Sequence, residues 1–522
     1  MNSPNQAALL RTLIIYAVCV PLAVVVGYML TNPMDYSTLG LFGVLALLLV
    51  SPILLRWHHP LLILSWNLGM TLFFIKGSPS LWLVMAALSV GISLLERTLN
   101  SEMHFIRVPQ ITWPLLCLTA VVLVTAKLTG GLGFHAFGSD VYGGRKYIYV
   151  FIGIASYFAL TSRRIPPERA KLYVGLFFLG GLSSAIGDFF AIMPSWSHFL
   201  YLFFPPTIYS FNQFEVGETR LSGVAGAAIT GCLWLLARYG IRGIFLEGKL
   251  WRAALWVLCF VAVFLGGFRS GIVGVMVPFV LMFFLEGLHR TRLLPVAILA
   301  GSLLVAIVIP LAPHLPYTFQ RALAFLPLDI SSDAREAAQG SLDWRVNMWK
   351  ALLPQVPQYL FLGKGMAISP EDYNEMMGTP LGQATGYIDP SQDPLALAYD
   401  YHNGVLSVLL PFGIWGMIAY LWLMAASLFV LYRNWKYGRT ELRSVNALLF
   451  AVILFEFASF MSCFAGLSLP VAIPYLAGRV GLSVALNGGV CRPEPEAVPA
   501  REPLFQPQRG LRHARPQPAF PR

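Results

Sequence analysis

The sequence predicts an all-α, polytopic integral membrane protein, and three observations carry that expectation. The composition is 57% hydrophobic and 12% charged, with a mean hydropathy of +0.66, far outside the balance of a water-soluble globular chain. Apolar runs of roughly 16 to 20 residues recur along the chain, near the ~20 that a helix needs to cross a bilayer. Lysine and arginine concentrate in alternate connections between those runs, the asymmetry that orients membrane proteins.

Fourteen apolar runs are read in order, near residues 12–30, 39–55, 60–75, 80–95, 110–127, 146–161, 171–190, 221–238, 252–268, 270–285, 293–312, 403–431, 445–463 and 468–487, an expectation of about 12–14 transmembrane helices. The first run lacks a short apolar core followed by a small-residue cleavage site, so it reads as a retained span and not a signal peptide. Residues 1–312 then hold spans one to eleven, 313–402 form one large outer loop with short surface helices, and 403–487 hold the last three spans. The tail 488–522 is rich in Pro and Arg, lacks apolar periodicity and is expected to be a disordered cytoplasmic end.

One set of connections carries Arg56, then Arg97 and Arg107, then Arg163, Arg164, Arg169 and Lys171, then Arg238, Arg242, Lys249 and Arg252, then Arg290 and Arg292, and last Arg433, Lys436, Arg439 and Arg443. The opposite short connections hold only Lys76, Lys127, Arg145, Lys146, Arg220 and Arg269. Both termini are therefore expected in the cytoplasm and 313–402 outside. Much of the net charge of +11 is this topology signal, and the basic tail adds contact with anionic lipid headgroups to the expected partners.

Several chemistries lack support. Cysteines 19, 117, 232, 259, 463 and 491 form no disulfide framework and no metal-ligand spacing, and the nine histidines contain no HExxH pair. No metal and no cofactor are expected. No aromatic-and-basic face suggests nucleic acid.

Function is sought in the long outer loop, since a connection of this length is usually functional or disordered. Within it DWRVNMWKALLPQV (343–356) puts Trp344, Met348, Trp349, Leu352 and Leu353 on one helical face, suited to lie along the membrane surface with its aromatics at headgroup level. FLGKGM (361–366) follows as a turn signal. His402-Asn403 closes the polar segment and opens the apolar helix HNGVLSVLLPFGIWG, which puts an imidazole at a membrane surface. A lone His at such a place is more often an interfacial residue than a base.

Arg220 and Arg269 break the charge pattern, although each has the length to snorkel to headgroups from a helix end. Arg269 occupies a short turn flanked by Gly266, Gly267 and Gly271, which allow close approach of a ligand or a helix. Arg345 has Asp343 nearby as an ordinary ion-pair partner, Asp400 lies two residues before His402, and Asp188 stands near the outer end of its run. Glu456 sits mid-run in LLFAVILFEFASFM, a functional hypothesis by default at that depth, with a protonated acid bonded between helices as the plain alternative.

The residues resemble a family. His402-Asn403, nine residues, Gly413, two residues, Gly416 matches the His-Asn/Ser/Gln, nine, Gly, two, Gly/Thr/Tyr signature of bacterial O-antigen ligases. Upstream, SLDWRVNMWKALLPQVPQYLFLGKGM is similar to the family's Arg, Trp, Pro-x-x-x-x-Gly-x-Gly pattern, and GETRLSGVAG (217–226) and GGFRSGIVG (266–274) resemble its arginine-bearing helix ends. The resemblance covers about 215 to 420 and implies an inverting, metal-independent glycosyltransferase of the bacterial inner membrane. It would move a glycan from an undecaprenyl-pyrophosphate carrier to an acceptor hydroxyl, of a lipid or a saccharide, at the outer face.

In that reading His402 is the base, because histidine titrates near neutral pH, and Arg269, Arg220 and Arg345 bind the pyrophosphate. Asn403, Asp400, Gly413 and Gly416 support them. The loop holds ten acids against five bases, so the arginines must be focused in a cleft. A repeat-unit polymerase of the same superfamily shares this chemistry. A transporter or flippase of lipid-linked sugar is the reading from another class, and predicts inverted repeats and midplane charges instead.

Overall fold

A backbone in hydrocarbon must satisfy its own N–H and C=O groups, and a helix does so within one segment. The computed structural model of the chain describes residues 4–29, 31, 36–75, 77–100, 102, 104–133, 142–191, 193–205, 220–370, 399–462 and 467–493, and is nearly all helical over them. The helices are α1 (Pro4–Met29), α2 (Tyr36–Ser65), α3 (Leu81–Leu99), α4 (Pro109–Thr129) and α5 (Gly144–Leu160). Next come α6 (Ala170–Leu179), α7 (Ser184–Ala191), α8 (Ser222–Phe245), α9 (Leu250–Val263), α10 (Arg269–Leu285) and α11 (Leu293–Leu311). The loop contributes α12 (Tyr317–Leu323), α13 (Ser332–Leu352) and α14 (Val356–Tyr359), and the chain continues through α15 (Gly404–Tyr437), α16 (Arg443–Met461) and α17 (Leu469–Asn487). Among the described residues there is no strand, only the isolated antiparallel bridges Thr71–Ser80 and Tyr142–Ile368.

Nine described helices are long and apolar enough to cross a membrane, and Cys19–Tyr28, Leu250–Gly266 and Arg269–Leu285 are shorter apolar helices. The chain is a multi-pass membrane protein. α17 is almost wholly buried and packs on α5 and α15, while α16 fills the space between α8, α10 and α15. α11 buries no residue, as an apolar helix in contact with lipid all round would.

Three expectations change. The runs at 39–55 and 60–75 do not form two helices: one 30-residue helix, α2, spans Tyr36–Ser65, and the described residues of 66–80 form a non-helical connection. The polar Trp57-His58-His59-Pro60 reads as a break, yet both histidines are buried with partners. His58 Nδ1 lies 2.8 Å from Ser89 Oγ, its Nε2 is 3.5 Å from Glu96 Oε2, and His59 Nε2 is 2.9 Å from the Leu160 carbonyl. Arg163 also pairs with Glu96. Such neighbours let a spanning helix keep polar residues and internal prolines, here Pro52 and Pro60. The merger removes one turn from the count on which the orientation of the N-terminal end rested.

The second change is the run at 171–190, which is broken into α6 and α7 by the 3₁₀ turn Gly180–Ser183, where a side chain on Gly181 would meet Thr230. The third is the helix read at 343–356. It starts earlier, at Ser332, capped by the Ser331 hydroxyl, which accepts from the Ala334 N–H at 3.3 Å. Its apolar face does not lie on the membrane surface. Met348 and Leu352 are buried against Ile368, Tyr399, Tyr401, Leu406 and Leu410. The tail beyond 493 and the loop segment 371–398 lie outside the described residues.

Candidate functional site

The end of the bundle that carries the loop is called the loop end. There the chain around His402 adopts a costly conformation: Tyr399 and His402 have φ of 60° and 46°, on the left-handed side that bulky residues avoid. Several contacts hold it. The Tyr399 hydroxyl donates to the Ala367 carbonyl at 2.7 Å, Trp349 Nε1 donates to the Tyr401 carbonyl at 2.8 Å, and the Lys146 ammonium lies 4.8 Å from the centre of the Tyr399 ring. Burial raises the pKa of the Tyr401 phenol, which therefore stays neutral inside this cluster.

His402 projects from this scaffold with its side chain 30% exposed. Its Nδ1 is 3.7 Å from Asp400 Oδ1, too long for a hydrogen bond. The ring meets the Trp344 indole edge to face, with centroids 5.6 Å apart. Asn403 turns the chain into α15: its Oδ1 accepts from the Leu406 N–H at 3.1 Å, so it is the N-cap of that helix.

α15 is not a continuous rod. Gly413 has φ 63° and ψ −166°, a conformation open to glycine alone, and breaks the helix. Phe460 of α16 shows the size of the bend. A Cβ on Gly404 would collide with its ring, while the Tyr420 ring lies 5.1 Å from it, and in a straight helix those two positions would be ~24 Å apart. The segment 404–412 therefore folds across α16.

The glycine-rich string 361–366 crosses the break and takes up its orphaned backbone groups. Lys364 N–H donates to the Leu410 carbonyl at 2.7 Å, Gly365 N–H to the Pro411 carbonyl at 2.9 Å, and the Ile414 N–H to the Leu360 carbonyl at 2.6 Å. A Cβ on Gly363 would strike Pro411, and one on Gly416 would strike Phe412. Gly363 and Gly413 are thus the glycines this crossing requires, whereas a Cβ on Gly365 would meet Thr129.

The arginines assemble from three elements. Arg269 is the first residue of α10, half-buried, and stands in the like-charge field of Arg345 on α13 and Arg321 on α12. Arg345 follows Trp344, whose ring touches His402. Asp343, the ordinary partner considered for Arg345, instead accepts from Gln339 Nε2 at 3.1 Å. Arg220 is buried, donates from Nε to the Gly266 carbonyl at 3.1 Å, and places its guanidinium 4.3 Å from the centre of the Phe268 ring. It props the α9–α10 turn that presents Arg269. α12 docks on the same turn, with Phe319 stacked on Phe264 at 5.1 Å and Gly267 in the left-handed region at φ 63°. Arg269 thus lies within the electrostatic reach of Arg345 and Arg321, Arg345 adjoins in sequence the tryptophan that meets His402, and Arg220 holds the turn behind Arg269.

Residues 254–421 match the family model described as O-antigen ligase. The match covers about a third of the chain, and over that stretch the protein is similar to this family. A comparison with curated proteins returned no match. The matched stretch contains Arg269, Arg321, Arg345, His402, Asn403, Gly413 and Gly416, whereas Arg220 precedes it and is tied to it by its bond to the Gly266 carbonyl.

Two basic residues were not singled out from the sequence. Arg321 was one charge in an acidic loop, and nothing in its local sequence announces its approach to Arg269. Arg479 was hidden within the last apolar run; it is buried on α17, donates to the Tyr475 carbonyl at 3.1 Å and lies within the electrostatic reach of Glu456. Glu456 therefore faces a buried cation. Asp188 is also buried, and its Oδ2 accepts from the Val224 N–H at 2.9 Å, which caps α8 from a neighbouring helix. Among the described residues no three His, Cys, Asp or Glu side chains converge as a metal site requires.

Proposed function

We propose that the protein is an O-antigen ligase-like glycosyltransferase that moves a glycan from an undecaprenyl-pyrophosphate carrier to an acceptor hydroxyl at the outer face of the bacterial inner membrane, with inversion and without a metal ion. Its loop end faces outside, and the three helices that follow the loop carry the C-terminal end to the cytoplasm. The observation that carries this reading is the approach of Arg345 and Arg321 to Arg269, with Arg345 next in sequence to Trp344, whose ring meets His402. A guanidinium in the field of two others is a site for a polyanion, which relieves that repulsion on binding.

The acceptor oxygen attacks the anomeric carbon and its proton passes to the His402 imidazole. The bond from that carbon to the pyrophosphate oxygen breaks, and its electron pair leaves with the pyrophosphate. The arginines stabilise the added negative charge, guanidinium being always protonated and matched to phosphate by its planar fork. Asp400 steadies the imidazolium that results. A repeat-unit polymerase uses the same steps and differs only in its acceptor.

Arg269→Lys tests the arginine assignment, because it keeps the charge and removes the fork. The expected outcome is a fall in kcat/KM for the donor of about ten- to a hundredfold, the loss of one charged hydrogen bond or two. Wild-type kinetics in that variant would remove Arg269 from the site.

A further inference from the structure

A groove of about 580 Å³ opens on the outside of the bundle between α2, α6 and α8, within the ~300–1,000 Å³ of ordinary ligand sites. Its bed is apolar, with Leu64, Leu176 and Leu179 along its length, and it ends at Lys171 and Arg238. Lys171 is exposed in the first turn of α6 and Arg238 is half-buried just before α8 breaks at Gly240. Neither forms an ion pair among the described residues, not even with Glu168, three positions before Lys171. One turn along α8 from Arg238, Trp234 turns its indole nitrogen toward Gly175, 4.0 Å from where a Cβ would stand, so the missing side chain keeps the groove open beside it.

We propose that this groove binds one anionic phospholipid. Its phosphate lies between Lys171 and Arg238, its ester carbonyls reach the Trp234 N–H, and one acyl chain runs along the leucines. The charge and apolar surface are complementary to that molecule along their whole order: cations at the end, an indole donor one turn deeper, hydrocarbon beyond. Basic pockets between spanning helices recognise anionic headgroups in this way. The lipid-linked donor is a poor occupant, since Arg238 is sixteen residues along α8 from Ser222 at the loop end, about 24 Å from the arginines that would hold the donor's pyrophosphate. The site therefore stands or falls apart from the transfer reaction.

Native mass spectrometry of the purified full chain with phosphatidylglycerol or phosphatidylethanolamine tests the proposal. Wild type is expected to retain one phosphatidylglycerol in preference to phosphatidylethanolamine, and Lys171→Ala with Arg238→Ala to weaken that preference about thirtyfold. The pair Lys171→Arg with Arg238→Lys should preserve it. Gly175→Leu, which narrows the bed without touching a charge, should lower occupancy by either lipid. Equal retention by wild type and the double alanine variant, unchanged occupancy in Gly175→Leu, or displacement of phosphatidylglycerol by equimolar undecaprenyl phosphate would each overturn it.

Discussion

At the scale of single residues, the site is built on strain that its surroundings oppose. Tyr399 and His402 each occupy a left-handed backbone conformation that costs about 1–3 kcal/mol, and bonds from Tyr399 to Ala367 and from Trp349 to Tyr401 hold the segment between them. Asn403 then fixes where α15 begins. Asn403→Ala is expected to lose about 1 kcal/mol of helix stability and to reduce transfer by misplacing His402, while Asn403→Asp, an equally good cap, keeps both. Equal thermal stability and activity of the two variants would mean that the cap does not position the imidazole. The motif made His402 and Asn403 legible as a pair. What it did not convey is that the Asn works through the backbone and that Trp344, 58 residues upstream, supplies a wall for the ring.

At the scale of elements, hydropathy finds helices and misses their breaks. The run at 403–431 reads as one span because Gly413 is as apolar as its neighbours, yet its φ of 63° divides α15 and lets 361–366 cross. Gly413→Ala would place a Cβ 2.7 Å from the Phe361 carbonyl oxygen and 2.8 Å from that of Leu360. It is expected to cost about 1–3 kcal/mol and to lower the melting temperature together with transfer; an unchanged melting temperature would show that the crossing tolerates a side chain. α2 failed in the opposite sense. His58 and His59 read as a solvated turn because their partners, Ser89, Glu96 and the Leu160 carbonyl, come from other helices.

At the scale of the whole molecule, the loop's acids outnumber its bases, so attraction of a pyrophosphate by bulk charge fails. The fold concentrates Arg269, Arg345 and Arg321 instead, by docking α12 on the α9–α10 turn and packing α13 against α12. That concentration depends on contacts between residues dozens of positions apart, which is why Arg321 was not legible while Arg269, marked by its glycines, was. The central claim is that His402 takes the acceptor's proton beside this cluster. Glycan transfer from a polyprenyl-pyrophosphate donor, measured in EDTA-treated membranes for wild type and His402→Ala at matched expression, tests it most directly. The account predicts transfer by wild type untouched by EDTA and a loss of about a hundred- to ten-thousandfold in the variant. Full activity in His402→Ala would contradict it and leave the histidine an interfacial residue.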